Sequence, residues 1–112
     1  MQTVVETPSY LADAERLFSR VERMAIVDRL AADPRCGVVI PGSGSLRKVR
    51  FGFGARGKRG GARIIYLFSG ESLPVFILAV FAKNEKSDLS AAERNALARM
   101  VADMIEDYRR QK

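Results

Sequence analysis

Seven consecutive apolar residues, Val75-Phe76-Ile77-Leu78-Ala79-Val80-Phe81, leave this chain no polar side for solvent over that stretch. Bounded by Pro74 and rich in β-branched and aromatic side chains, the run predicts a strand, and a strand apolar on both faces belongs at the centre of a sheet. Two upstream segments supply its neighbours. Leu46 to Phe53 alternates, with Val49, Phe51 and Phe53 on one side and Lys48 and Arg50 on the other. Arg63-Ile64-Ile65-Tyr66-Leu67-Phe68 is β-branched and aromatic, and a turn at Ser69 to Pro74 leads from it to the central run. Strands that follow one another through short connections predict an antiparallel arrangement.

Helices flank these strands. Met1 to Glu6 reads as a short strand, and Thr7-Pro8 as an N-cap with proline at the first helical position. From Pro8 the apolar positions Leu11, Ala14, Leu17, Phe18, Val21, Ala25 and Ile26 step by three and four, either as one amphipathic helix or as a hairpin of two broken near Ser19. The pattern continues through Met24, Val27 and Leu30 and stops before Asp33-Pro34, because proline disfavours helix in the residue before it. Gly37 to Ile40 is a short extended segment. At the other end, Ser90-Ala91-Ala92-Glu93 fits a capping box, followed by an apolar stripe of Ala96, Leu97, Met100, Val101, Met104, Ile105 and Tyr108. The expectation is one α+β domain over residues 1–112, in which a twisted antiparallel sheet packs against N-terminal helices and a C-terminal helix.

Charge is distributed unevenly over this frame. Leu46 to Arg63 carries seven cations (Arg47, Lys48, Arg50, Arg56, Lys58, Arg59, Arg63), five glycines and no acid, and the acid-free run extends from Gly37 to Gly70. Elsewhere 12 cations face 13 acids, so all of the net charge of +6 resides in this one segment. A concentrated patch makes a local field that attracts a polyanion, which points to a phosphate-contacting surface for nucleic acid. The competing reading is a solvated hairpin whose cations merely blunt aggregation at a sheet edge.

Other chemistries are narrowed by what the sequence lacks. There is no histidine, and Cys36 is the single cysteine, so neither an intrachain disulfide nor the usual zinc ligand sets can form. Cys36 has no histidine to activate it and reads as a small side chain near the start of a strand. Acid-base work falls to Lys, Arg, Tyr or carboxylates, with no metal or cofactor expected. Gly52, Gly54 and Gly57 satisfy GxGxxG, and Gly52 to Lys58 satisfies GxxxxGK, but both motifs need a helix next and the residues after them read as a strand; Arg59 also stands where a phosphate-binding loop needs Ser or Thr. The first fifteen residues lack the basic start and apolar run of a signal peptide, and no stretch approaches the roughly 18 apolar residues of a membrane span. A cytoplasmic protein is the expectation.

At KVRFGFGARGKRGGARIIYLF and VFILAVFAKNEKSDLSAAERNAL the sequence resembles the RelE and HigB superfamily of bacterial toxin-antitoxin toxins, over nearly the whole chain. The resemblance implies a RelE-like α+β fold and ribosome-associated, metal-independent cleavage of messenger RNA. It also implies neutralisation by an antitoxin encoded by an adjacent gene, which can be a helix-turn-helix DNA-binding protein. Carried over by position, Lys48 and Arg50 match the family's basic pair on a central strand, and Arg63 matches the arginine opening the next strand. Lys83 lies close to where the family places a later basic residue. The family's C-terminal tyrosine or histidine has no match, since the region reads Asp88-Leu89-Ser90, so no general acid is assigned.

Within that reading, Arg63, supported by Arg50 or Arg56, clamps the phosphoryl oxygens, because a guanidinium donates two hydrogen bonds to one phosphate. Crowding by like charges favours the neutral amine of lysine, which qualifies Lys48 as general base. Arg47, Arg56, Lys58, Arg59 and Lys86 are expected to hold the RNA backbone or ribosomal RNA. Tyr66 and Phe53 are candidates to stack on bases but read first as sheet core, and Glu85 and Asp88 read first as loop charges. The alternative function is a non-catalytic basic binding module of the same fold, such as a toxin that inhibits gyrase.

Overall fold

A computed structural model of the chain describes residues 1–43, 45–52, 61–82 and 89–110. In chain order they form β1 (Val4–Glu6), α1 (Pro8–Leu17), α2 (Arg20–Ala32), β2 (Val38–Val39), β3 (Leu46–Phe51), β4 (Ala62–Leu67), β5 (Val75–Ala82) and α3 (Ala91–Arg110). No helix among the described residues is long and apolar enough to cross a membrane.

The strands make one sheet in the order β1-β5-β4-β3-β2. Strands β2 to β5 pair antiparallel, while β1 adds to the far side of β5 in parallel, with Val4 opposite Val75 and Glu6 opposite Ile77. The sheet is therefore mixed. Antiparallel pairing is favoured where a short loop reverses the chain between neighbours, and β1 is separated from β5 by two helices and three strands, so nothing local sets its direction. Between β4 and β5 the register shifts at Ile65/Tyr66, so that Ile65 pairs with Ala79 and Tyr66 with Ile77. Leu78 is the extra residue of this bulge, which increases the local twist.

Both faces of the sheet are covered. Tyr10 and Ala14 of α1 and Ile26 and Leu30 of α2 pack on Phe51, Ala62, Ile64, Tyr66, Val75, Ile77 and Val80. On the other face, Leu97, Met100, Val101, Met104, Ile105 and Tyr108 of α3 pack on Leu46, Ile65, Leu67, Phe76 and Leu78. Alternation along β4 serves both layers, and Ile64 to Leu67 are all buried.

Short-range capping positions the helices. Thr7 Oγ1 accepts from Tyr10 N–H and donates to Ile77 O at 2.7 Å, pinning the start of α1 to the central strand. Ser19 Oγ accepts from Glu22 N–H while a Glu22 oxygen accepts from Ser19 N–H, and this reciprocal box decides between one helix and two: the chain breaks after α1 and restarts as α2. Ser90 and Glu93 make the same exchange before α3, as the sequence predicts.

Candidate functional site

Strand β3 keeps its sequence alternation. Val49 and Phe51 join the core beneath α1 and α2, and Leu46 joins the core beneath α3. Lys48 and Arg50, an even number of residues from Leu46, thus lie on the α3 face. On β4 the odd positions Ile65 and Leu67 pack toward α3, which puts Arg63 on that face as well. The register sets the cations against each other: Arg50 stands directly opposite Arg63, and Lys48 opposite Ile65.

On this face three cross-sheet rows run over β3, β4 and β5. Leu46-Leu67-Phe76 is apolar and buried under α3. Lys48-Ile65-Ala79 is a boundary row. Arg50-Arg63-Phe81 is the last, with Arg50 exposed and Arg63 and Phe81 partly so. Lys48, Val49, Arg50 and Arg63 line an open recess of about 190 Å³. The stem of Arg50 passes Gly61, where an added Cβ would lie 3.6 Å from Arg50 Cδ.

Directly opposed cross-strand residues have Cβ atoms about 4.5–5.5 Å apart, and like charges in that relation destabilise a sheet. No acid occurs in the sequence between Gly37 and Gly70, so neither β3 nor β4 offers one to offset the pair. The recess between them is one that an anion could enter. Guanidinium groups suit the oxygens of a phosphate in particular, because each planar fork can donate two parallel hydrogen bonds.

Arg47 is placed elsewhere. It lies opposite Tyr66, and its Nη1 donates to Gly37 O at 2.7 Å and to Arg35 O at 3.4 Å. The hydroxyl of Tyr66 donates to Pro34 O at 2.7 Å and accepts from Gly37 N–H at 2.8 Å, with Cys36 Sγ at 3.9 Å. Together these bonds tie the link between α2 and β2 to the backs of β3 and β4. A Cβ at Gly37 would sit 2.7 Å from Tyr66 Oη and 2.8 Å from Lys48 O, so only glycine permits this approach. Burial pushes the Tyr66 hydroxyl up to about 12, against the opposing influence of the Gly37 N–H. Tyr66 is thus a core residue that braces the strand bearing Lys48.

The structure therefore brings together Lys48, Arg50 and Arg63 and turns Arg47 to the opposite face. Lys83, Arg56, Lys58, Arg59 and Lys86, with Phe53, Glu85 and Asp88, lie outside the described residues. Both glycine motifs also run into the segment between β3 and β4, and the element after it is a strand rather than a helix. Sequence reading missed Phe81 as the third member of the arginine row. Its apolar strand suggested only core, and the register that aligns it with Arg63 depends on the Leu78 bulge.

No protein-family model matches this sequence. Among solved structures, the chain is similar to a double arginine-to-alanine mutant of Escherichia coli toxin RelE in the free state, with a TM-score of 0.55 and 18% identity. The match covers 70% of this chain and 80% of that one. The fold is RelE-like.

Proposed function

We propose that this protein is a toxin of the RelE type that cleaves messenger RNA on the ribosome without a metal and so inhibits translation. The observation that carries the reading is the Arg50–Arg63 pair in direct register, with Lys48 on the same face and no acid on either strand. A sheet retains such a repulsive pair at small cost if its working partner is an anion.

The placement of these side chains supports the following chemistry. Lys48 Nζ takes the proton of a ribose 2′-hydroxyl, the freed oxygen bonds to the adjacent phosphorus as the bond from phosphorus to the 5′-oxygen breaks, and the departing 5′-oxygen takes a proton from water. The products are a 2′,3′-cyclic phosphate and a 5′-hydroxyl. Negative charge on the phosphoryl oxygens grows toward the transition state, and Arg63 with Arg50 meets it with donors already in place, which lowers the barrier without reorganisation. Lys83, immediately after β5, is the further catalytic candidate, while Arg56, Lys58, Arg59 and Lys86 track the RNA backbone. A cytoplasmic antitoxin encoded next to the gene restrains the activity by covering the patch or by keeping the protein from the ribosome.

The test is cleavage of a defined messenger RNA by purified protein, with and without programmed ribosomes, with EDTA added to the free-RNA arm. Cuts with 2′,3′-cyclic ends in the ribosome arm are expected. A folded, toxic protein that cuts in neither arm overturns the reading in favour of a non-catalytic, gyrase-inhibiting type of module. Co-expression of the neighbouring gene product is expected to give a complex and to relieve growth arrest.

A further inference from the structure

The last row of the α3 face ends in an aromatic ring. Phe81 is the β5 partner of Arg63, which is the β4 partner of Arg50, so cation, cation and ring stand side by side across three strands. Phe81 is partly buried, packed at the margin of the core that α3 completes. The corresponding position one row back is Ala79, and two rows back it is the buried Phe76, which meets Tyr108 edge to face with ring centroids 6.4 Å apart. Phe76 thus lies wholly within the core under α3, and Phe81, which packs against the same core while remaining partly exposed, shares its row with two arginines.

We infer that Phe81 is a specificity-determining residue, a platform on which a nucleobase of single-stranded RNA stacks while Arg63 and Arg50 hold the neighbouring phosphate. The inference rests on the RNA reading above and deepens it by naming what lies beside the phosphate. Neighbouring strands are about 4.8 Å apart, so the ring is one strand spacing from Arg63 and two from Arg50, a reach that one nucleotide bridges from phosphate to base. Cations tracking the backbone, with an aromatic face beside them, form the general arrangement for gripping unpaired nucleotides, since every base has a π-face and only an unpaired one can lie flat on a side chain. A duplex keeps its bases stacked inside and has none to offer. The row therefore selects single-stranded over double-stranded RNA, and nucleotides with bases over a bare sugar-phosphate chain.

Two 2′-O-methyl oligoribonucleotides of equal length test this, one with all its bases and one abasic at successive central positions. The modification removes the attacking hydroxyl, so fluorescence anisotropy reads binding alone. The parent protein is expected to bind the base-bearing strand at least about tenfold more tightly. Phe81→Leu keeps apolar bulk against α3 and is expected to erase that preference while leaving abasic affinity and melting temperature unchanged; Phe81→Tyr restores the preference. A Phe81→Leu protein that still prefers bases overturns the platform and leaves the cation site intact. Equal weakening toward both strands also overturns it, because the ring then only props the sheet. A parent that binds neither strand overturns the platform as a site on the protein alone, and one that in addition cuts messenger RNA neither free nor on the ribosome overturns the RNA reading itself.

Discussion

The two ends of one sheet face are built from the same three strands and behave as opposites. At one end Leu46, Leu67 and Phe76 lie in register beneath α3, each nearly or fully buried. Two rows away, the same alternation and ladder place Arg50, Arg63 and Phe81 side by side, and Arg50 is exposed. The backbone is continuous between them. Rigidity is generated at the covered end and used at the open end, where two arginines stand in direct register. Catalytic electrostatics require donors fixed before charge develops, and a strand anchored in a core fixes them better than a loop.

Separating the two ends experimentally gives the largest expected effect. Lys48→Ala with Arg63→Ala removes the proposed base and clamp but no buried packing, so RNA cleavage is expected to fall by at least about 10³-fold, with the thermal midpoint unchanged or slightly raised. Cleavage rates and circular dichroism melts on the same preparation check both halves. Cleavage within tenfold of the parent would sink the assignment of these residues. The mirror-image change is Leu67→Ala, which empties part of the α3 core and is expected to cost about 2–5 kcal/mol of stability, read from the urea midpoint. The row proposed to act on RNA is untouched, so the proposed activity, measured well below the new melting temperature, should be retained.

How much of this was legible in the sequence depended on distance along the chain. Thr7-Pro8 and Ser90 to Glu93 are local capping signals, and both are observed where they were predicted. The segregation of Lys48 and Arg50 from Val49 and Phe51 was also readable, because strand alternation is a two-residue rule. Ser19 was ambiguous, since its capping box competes with an apolar periodicity that runs straight through it. Long-range relations were not readable. Nothing near Met1 to Glu6 fixes the parallel pairing with β5, and nothing near Arg47 reveals that its guanidinium donates to the carbonyls of Arg35 and Gly37. The alignment of Arg63 with both Arg50 and Phe81 needs two registers, one of them shifted by a bulge.

The brace behind the open end is the next place to press. Tyr66→Phe leaves the ring but strands the Gly37 N–H and the Pro34 carbonyl, an expected loss of about 1–3 kcal/mol. The pH dependence carries a sharper signature. The folded state raises the Tyr66 hydroxyl from 10.0 to about 12, so it holds the proton more tightly than the unfolded chain does. The associated stability is fully present below pH 10 and disappears as pH rises through about 12. Tyr10, raised to about 12 by burial and by Glu6, adds a second contribution of the same sign. Urea midpoints between pH 9 and about 12 should therefore fall less steeply in Tyr66→Phe than in the parent. Parallel slopes would mean that the hydroxyl does not ionise with unfolding.

The smallest expected effect bears most directly on why the open end exists. If Arg50 and Arg63 repel across the ladder, Arg50→Gln, which keeps much of the stem and removes the charge, should stabilise the fold by roughly 0.2–1 kcal/mol. Because Arg50 is exposed, ions screen the repulsion, and the gain should shrink toward zero as salt rises from about 0.05 M to 1 M. The same substitution removes one fork from the proposed phosphate clamp, so cleavage should fall while stability rises. Opposite signs in the two measurements are characteristic of a functional site held against the preference of its scaffold. Urea midpoints at both salt concentrations, with cleavage assayed at the lower one, decide the matter. A protein that becomes less stable at low salt would mean that the arginine pair is compensated within the fold, and the case for an anionic partner would lose its main physical support.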